Sequence, residues 1–213
     1  MLSKEILNEN RILLMSTNRK LDYLLVDTDF RMKETTIIGI THAMSSKEIK
    51  DIVFIKTIAM NDNIKLKNIA EYIENLCIEF GHPTILIDSM GLGLGMYDTL
   101  KAMNLDIQII PIKCTSTLQS EAICLFYNNV HESKLRFLQT EKNAKNSYRH
   151  SFLGYSEIIN SHKETDNLIN EIADIELESN KNNIVRLKKT NDNINTTRFY
   201  CLLLLYLYYH DNK

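Results

Sequence analysis

The pattern of apolar and polar positions changes period several times along the chain, and each change marks an element. Residues 21–30 (LDYLLVDTDF) are apolar at both parities, which predicts a central strand covered on both faces. The run collects carboxylates only at its far end. Side chains repeat every second residue in a strand, so Asp27 and Asp29 fall on one side. After a polar turn at 31–34, the β-branched run 35–43 predicts a second strand. Residues 51–59, beyond a polar SSKE break, predict a third, and the short turns favour an antiparallel meander. From 64 to 80 apolar residues recur at three- and four-residue steps, the mark of an amphipathic helix with Asn61 and Asp62 as its cap and Gly81 as its stop. Residues 84–88 (TILID) form a compact apolar strand ending in a third carboxylate, Asp88. A glycine-rich turn, a helix at 96–103 and a strand at 107–112 follow, a spacing that implies crossovers and parallel pairing.

Further on, 118–130 and 163–172 read as helices. The polar stretch 141–151, with Lys142, Lys145, Arg149 and His150, reads as an exposed loop. Two short strands, 175–178 and 184–187, flank turn residues 180–183. The closing helix, 197–210, is apolar nearly all round but far short of the roughly 20 residues that span a bilayer, so no membrane partner is expected. One of its faces should pack on the sheet opposite helix 64–80, and the rest should meet another part of the chain or a second copy. Residues 1–20 are an introductory segment with 12–15 as a candidate edge strand. The pattern as a whole predicts one α/β domain over 1–213, a mixed sheet of a three-strand antiparallel meander plus parallel strands with helices on both faces.

Composition narrows the chemistry. The 25 basic and 27 acidic side chains leave a formal net charge of -2, so no global positive field announces a nucleic-acid partner. The local Lys/Arg group from Lys134 to Arg149 is the best candidate for touching a polyanion. Cys77, Cys114, Cys124 and Cys201 are widely spaced in apolar contexts, as expected of reduced core thiols in an intracellular protein. The first residues lack the layout of a signal peptide. If the strands bearing Asp27 and Asp88 are parallel neighbours, the two carboxylates meet at a sheet end, where ligands bind. They would then repel unless a cation or a proton lies between them, and oxygen donors of this kind suit Mg²⁺ or Mn²⁺. Two unrelated capping aspartates are the plainer alternative. Gly91, Gly93 and Gly95 lack G-x-G-x-x-G spacing. They either let a backbone or phosphate approach Asp88 closely or simply allow a tight reversal. The histidines show no metal-ligand spacing, and only His42, closing the second strand, has a claim on a cleft. No Walker A sequence occurs, so ATP-driven work is not assigned to this chain.

The segment KLDYLLVDTDFRMKETTIIGI followed by TILIDSMGLGLGMYDTL resembles the C-terminal nuclease domain of the terminase large subunit of tailed phages and prophages. The resemblance implies an RNase H-like fold. Asp27 matches its first-strand aspartate. Asp88, with Gly91, Gly93, Gly95, Tyr97 and Asp98, matches its fourth-strand aspartate, glycine-rich turn and helix. It further implies a metal-dependent endonuclease that cuts concatemeric viral DNA during genome packaging through a two-metal Mg²⁺ or Mn²⁺ site. Such an enzyme would act on double-stranded DNA in the host cytoplasm at the assembling procapsid, with portal and small terminase nearby and an ATPase that is separate or missing. The family sets its third aspartate directly before an arginine at the start of the last helix. Here Thr197 precedes Arg198 and the nearest upstream acid is Asp192. Asp192 is therefore the expected third metal ligand, Asp29 the substitute, and an incomplete site the remaining alternative. Gly91, Gly93, Lys142, Lys145 and Arg149 are the expected DNA contacts. Competing readings are a nuclease-fold binding module without chemistry and a non-viral RNase H-like resolvase or RNase.

Overall fold

In chain order the elements are α1 (Lys4–Glu9), β1 (Arg11–Leu13), β2 (Tyr23–Asp29), β3 (Glu34–Ala43), β4 (Ser46–Ala59), α2 (Leu66–Glu79), β5 (Thr84–Asp88), α3 (Leu92–Ala102), β6 (Ile109–Ile112), α4 (Ser116–His131), β7 (Leu135–Leu138), α5 (Glu141–Ser147), α6 (Tyr155–Asp174), β8 (Glu176–Ser179), β9 (Val185–Lys188) and α7 (Thr197–Asp211). The structure, a computed structural model, describes residues 2–14, 20–29, 32–61, 63–148, 155–179, 184–188 and 196–211. Among these, seven strands form one sheet in the order β1-β7-β4-β3-β2-β5-β6, and β8 and β9 form a separate antiparallel ribbon.

β2, β3 and β4 are the expected antiparallel meander, while β2–β5, β5–β6, β4–β7 and β1–β7 pair in parallel. The sheet is therefore extended on both sides of the meander by crossover connections. Aliphatic residues of opposite parity in β2 face different layers, which is why the strand is apolar throughout. Leu24 and Val26 pack with α2 and α3, whereas Leu25 packs with α4, α6 and α7. Helices thus cover both faces. α7 lies opposite α2, as its apolar surface required, and its residues 201–207 are all buried. α4 and α6 belong to the same apolar cluster as α7, so the apolar surface left over from the sheet is covered within the chain and no second copy is needed to explain it. No helix among the described residues is long and apolar enough to cross a membrane.

Several sequence expectations are corrected. The polar stretch 141–151 is not an exposed loop throughout, because 141–147 is α5. Its start is capped by Thr140, whose Oγ1 accepts from the Asn143 N–H at 3.2 Å, and Ala144 is buried. The SSKE break is no break either, since β4 runs through it from Ser46. The helix cap is Lys65 with Asn68 rather than Asn61, whose side chain instead holds the turn before it. Asp62 lies outside the described residues. Gly81 does follow the helix, with φ 81°, a conformation open to glycine. Cys124 is exposed on α4, unlike the buried Cys77 and Cys201.

Candidate active site

β2 and β5 are neighbours in register, Tyr23 opposite Thr84 through Val26 opposite Ile87, and both end in an aspartate. Chain connections leave this pair in opposite directions, to β3 on one side and β6 on the other, so the carboxyl ends of β2 and β5 frame a switch point where ligands lodge. Asp27 shares the parity of Leu25, and Asp88 that of Leu86, which places both carboxylates on the α7 side. They line one cleft of ≈ 500 Å³ together with Thr28, Asp29, Met90, Gly91, Leu92, Cys114, Gln119, Tyr200, Leu203, Leu204 and Leu207.

The electrostatics of this cleft are one-sided. Asp27 is only 9% exposed, and burial first, then the charges of Asp88, Asp29 and Glu34, push its carboxyl up to about 8. Asp88 is pushed to about 6 by burial, with the Met90 and Ser89 N–H groups pulling back. The Met90 N–H donates to Asp88 Oδ1 at 3.3 Å, and Ser89 ties the turn to β6 by donating from both N–H and Oγ to the Ile112 carbonyl. Asp29 Oδ1 accepts from the Met32 N–H at 3.2 Å. Among the described lining residues there is no Lys or Arg. Cys114 feels the same field, its thiol raised to about 11 by burial and then by Asp88 and Asp27. A buried and a half-buried carboxylate without a basic neighbour among the described residues of their cleft are the donor set that a hard divalent cation takes. Among the described residues, no group of three or more His, Cys, Asp and Glu is placed to hold one ion, so this pair stands without a described third ligand.

Of the glycines expected in a turn before the helix, Gly91 caps α3 while Gly93 and Gly95 lie inside it, because α3 begins at Leu92, and their roles are separable. Gly91 caps α3 with φ 55°, where any other L residue is strained, and a Cβ there would meet nothing. A Cβ on Gly93 would lie 2.2 Å from the Asp88 carbonyl oxygen and 3.0 Å from its Oδ2. The first turn of α3 therefore presses against Asp88 itself, and Gly93 serves the carboxylate's placement. A Cβ at Gly95 would meet only the side chain of Leu66, at 3.4 Å.

Other expected residues are placed elsewhere. Asp192 and Arg149 lie outside the described residues. His42 sits at the opposite end of β2, where Asp22 Oδ2 accepts its backbone N–H at 2.6 Å and its Nε2 is 3.1 Å from the Tyr209 hydroxyl, so its claim on the cleft is withdrawn. Much of the Lys134–Arg149 group is matched by acids. Lys134 meets Glu132 and Glu48, Lys145 lies 2.6 Å from Glu141, and Arg136 donates to both oxygens of the fully buried Asp51. Lys142 and Lys145 ride on α5, which follows β7. β7 runs parallel to β4 and hence to β2, so α5 lies toward the same end of the sheet as Asp27, three strands across, or roughly 14 Å.

One cluster beside the site was missed from sequence. Arg198, in the first turn of α7, donates from Nε to Glu164 Oε2 at 2.7 Å and from Nη1 to Glu171 Oε1 at 2.5 Å, while Glu171 Oε2 accepts the Phe199 N–H at 3.2 Å. Thr57 adds its hydroxyl to Glu164 at 3.1 Å. This clamp fixes the N-terminal turn of α7. Three residues on, Cys201 is buried behind Asp27 and donates to the Thr36 carbonyl at 3.4 Å. An arginine opening an otherwise apolar helix, with Glu164 and Glu171 two turns apart on one face of another, was the available signal.

Comparison with known proteins fits this geometry. No family model matches the sequence, and no curated protein does. Solved structures do match. The large terminase nuclease of thermophilic phage G20c is similar over 98% of this chain and 98% of its own, with TM-score 0.62 and 11% identity. The fold is that of a terminase large-subunit nuclease domain. The nuclease domain of the large terminase subunit of bacterial virus Sf6 covers 97% of each chain with TM-score 0.61 and 10% identity. The HK97 bacteriophage large terminase matches 97% of this chain with TM-score 0.68 and 9% identity, but only 43% of its own length, so that protein continues well beyond the shared nuclease fold. The G20c nuclease has been solved with bound cobalt and with bound magnesium.

Proposed function

We propose that this chain is a divalent-metal-dependent DNA endonuclease, acting as the nuclease part of a machine that cuts concatemeric viral DNA during genome packaging. The observation that carries the reading is the pair Asp27, buried, and Asp88, half-buried, at the ends of adjacent parallel strands, in a cleft lined by no basic residue among those described. That arrangement supports Mg²⁺ or Mn²⁺ as the resident cation, and the magnesium and cobalt forms of the G20c nuclease support it by analogy.

A bound pair of divalent cations would activate water and stabilise the leaving oxygen of a phosphodiester. The chain's own contribution is placement. Asp27 is fixed by a central strand paired on both sides, and Asp88 by the Met90 N–H and by the pressure of Gly93 behind it. Asp29, on the same side and in the same cleft, would hold an outer cation, and Asp192 would supply the third carboxylate. Gly91 and the N-terminal end of α3 favour the approach of a phosphate, and Lys142, Lys145 and Arg149 would follow the DNA backbone. The longer HK97 protein supports a division of labour in which an ATPase, elsewhere in the protein or on another chain, feeds double-stranded DNA to the site, at the portal of an assembling procapsid in the host cytoplasm.

A plasmid-nicking assay in Mn²⁺ tests this reading. Asp27→Ala and Asp88→Ala should abolish cutting. Loss in Asp192→Ala but not Asp29→Ala assigns the third ligand to Asp192, and the reverse assigns it to Asp29. A second reading rests on the missing third ligand among the described residues, namely a nuclease-fold module that binds DNA or a packaging partner without cutting. Wild-type protein that binds DNA but neither cuts nor takes up Mn²⁺ would establish it instead.

A further inference from the structure

The cleft is larger than a metal-and-phosphate site requires. This trench is lined by Asp27, Asp29 and Asp88, by the first turn of α3, by Gln119 on α4, and by Tyr200, Leu203, Leu204 and Leu207 on α7. These α7 residues recur at steps of three and four and so present one stripe, in which Tyr200 is half-buried and the three leucines behind it are almost fully covered. The whole volume, ≈ 500 Å³, is in the range of sites that enclose a small organic molecule.

Charge decides what can enter. No Lys or Arg lines the trench among the described residues, and three carboxylates do. A phosphate is tolerable only where cations neutralise those carboxylates, so a sugar–phosphate backbone cannot continue along the trench. A neutral, flat, mostly apolar group can. Gln119 offers the one side-chain amide among the described lining residues, a donor and an acceptor on the same group, which is the pairing that a base edge presents. Enzymes that bring a base out of its stack read it with this mixture of apolar walls and a few hydrogen-bonding groups.

We propose that the trench receives an unstacked nucleobase of the strand whose phosphate sits at Asp27 and Asp88. The inference rests on the nuclease reading and adds to it a nucleotide subsite with Gln119 and the α7 stripe as its walls. The substrate strand would then be locally opened beside the scissile phosphate. Mismatched or frayed DNA would enter more readily than perfect duplex, because opening a pair costs a few kcal/mol and least where pairing is already poor.

Calorimetry with Ca²⁺ and two probes, deoxyadenosine 5′-monophosphate and deoxyribose 5-phosphate, tests the subsite without relying on cleavage. The nucleotide should bind roughly tenfold or more tightly, because its base leaves water for an apolar wall. Gln119→Trp, which fills the trench from a half-exposed helix position, should remove that advantage and leave the sugar phosphate's affinity as it was. Gln119→Leu, which keeps the volume and removes the amide, should lower the advantage severalfold, and circular dichroism checks that both variants fold. Equal affinity for the two probes in wild type overturns the subsite, leaves a protein side chain as the occupant, and does not touch the nuclease reading. If neither probe binds and Mn²⁺ does not bind either, the subsite falls together with that reading.

Discussion

Two groups of carboxylates lie on the α7 side of the sheet, all buried except the half-buried Asp88, and their surroundings differ. Glu164 and Glu171 share the guanidinium of Arg198, and Glu171 also accepts the Phe199 N–H. Burial still pushes Glu171 up to about 7, but Arg198 and Phe199 draw it back. Asp51, at the other side of the meander, is fully buried and held bidentately by Arg136. Asp27 and Asp88 have no such cation among the described residues of their cleft, and burial together with the charge of Asp88 raises Asp27 to about 8. Where a carboxylate serves the fold, the sequence supplies an arginine. Among the described residues of the cleft it supplies none, and compensation has to come from outside them. The contrast identifies the site more sharply than the burial of any one residue, because a buried acid that is already paired has nothing left to bind.

The largest test of this contrast removes an internal cation. Arg198→Met leaves Glu164 and Glu171 buried without their partner, and breaking a buried pair in this way costs about 3–5 kcal/mol. Urea unfolding should show the loss, and much of it should return in the triple variant that also carries Glu164→Gln and Glu171→Gln. A loss under about 1 kcal/mol would mean that the clamp is solvated and the contrast is false.

The opposite sign is expected at the cleft. In EDTA, an unfolded aspartate loses its proton near pH 4 while folded Asp27 keeps it to about 8, so between those values the unfolded state binds fewer protons. Stability of the metal-free protein should therefore fall as pH rises from about 4 to about 8, by about 5 kcal/mol. Asp88, raised to about 6, adds to the fall over its own narrower window. Asp27→Asn should flatten most of the slope, and Mn²⁺ at pH 8 should restore wild-type stability by mass action. A stability that rises over this window would show that Asp27 already has a compensating partner.

What could be read from sequence divides along the same line. The carboxylate pair was legible because strand parity and a strand-ending position are local properties, visible in LDYLLVDTDF and TILID. The packing side of α7 was legible from an apolar surface too wide to leave in water. β7 was not, since LRFL is four residues whose partners in β1 and β4 are distant in sequence. α5 read as a loop because EKNAKNS buries only Ala144, and its helix depends on the Thr140 cap and the Glu141–Lys145 pair. The trench was invisible for another reason. Leu203, Leu204 and Leu207 look like core in any helix, and a gap between packed elements belongs to the assembled fold.

A smaller effect probes how Asp88 is placed. Gly93→Ala should gain about 1 kcal/mol of helix propensity at an ordinary helical position. Here the new Cβ would lie 2.2 Å from the Asp88 carbonyl oxygen, so α3 or the end of β5 must move. A net loss of about 1–2 kcal/mol is expected, with Mn²⁺ affinity falling about tenfold as the carboxylate shifts. Gly95→Ala is the control, because its Cβ would touch only the flexible side chain of Leu66. If Gly93→Ala and Gly95→Ala behave alike, the turn does not position Asp88.

The smallest effect concerns the basic residues that sequence singled out. Lys145 is exposed and already paired with Glu141, and Lys142 is exposed on the same short helix. Their removal should leave folding and Mn²⁺ affinity unchanged, which separates them from both carboxylate groups. If DNA leaving the cleft crosses the meander toward α5, each lysine neutralises one phosphate. The slope of log affinity against log salt should then become shallower by about 1 for each of Lys142→Ala and Lys145→Ala, equally for every DNA sequence tried. Glu141→Gln should act in the opposite direction to Lys145→Ala, because it frees Lys145 from its intrahelical partner. An unchanged salt slope in all three variants would place the DNA path elsewhere and leave α5 with a purely structural role.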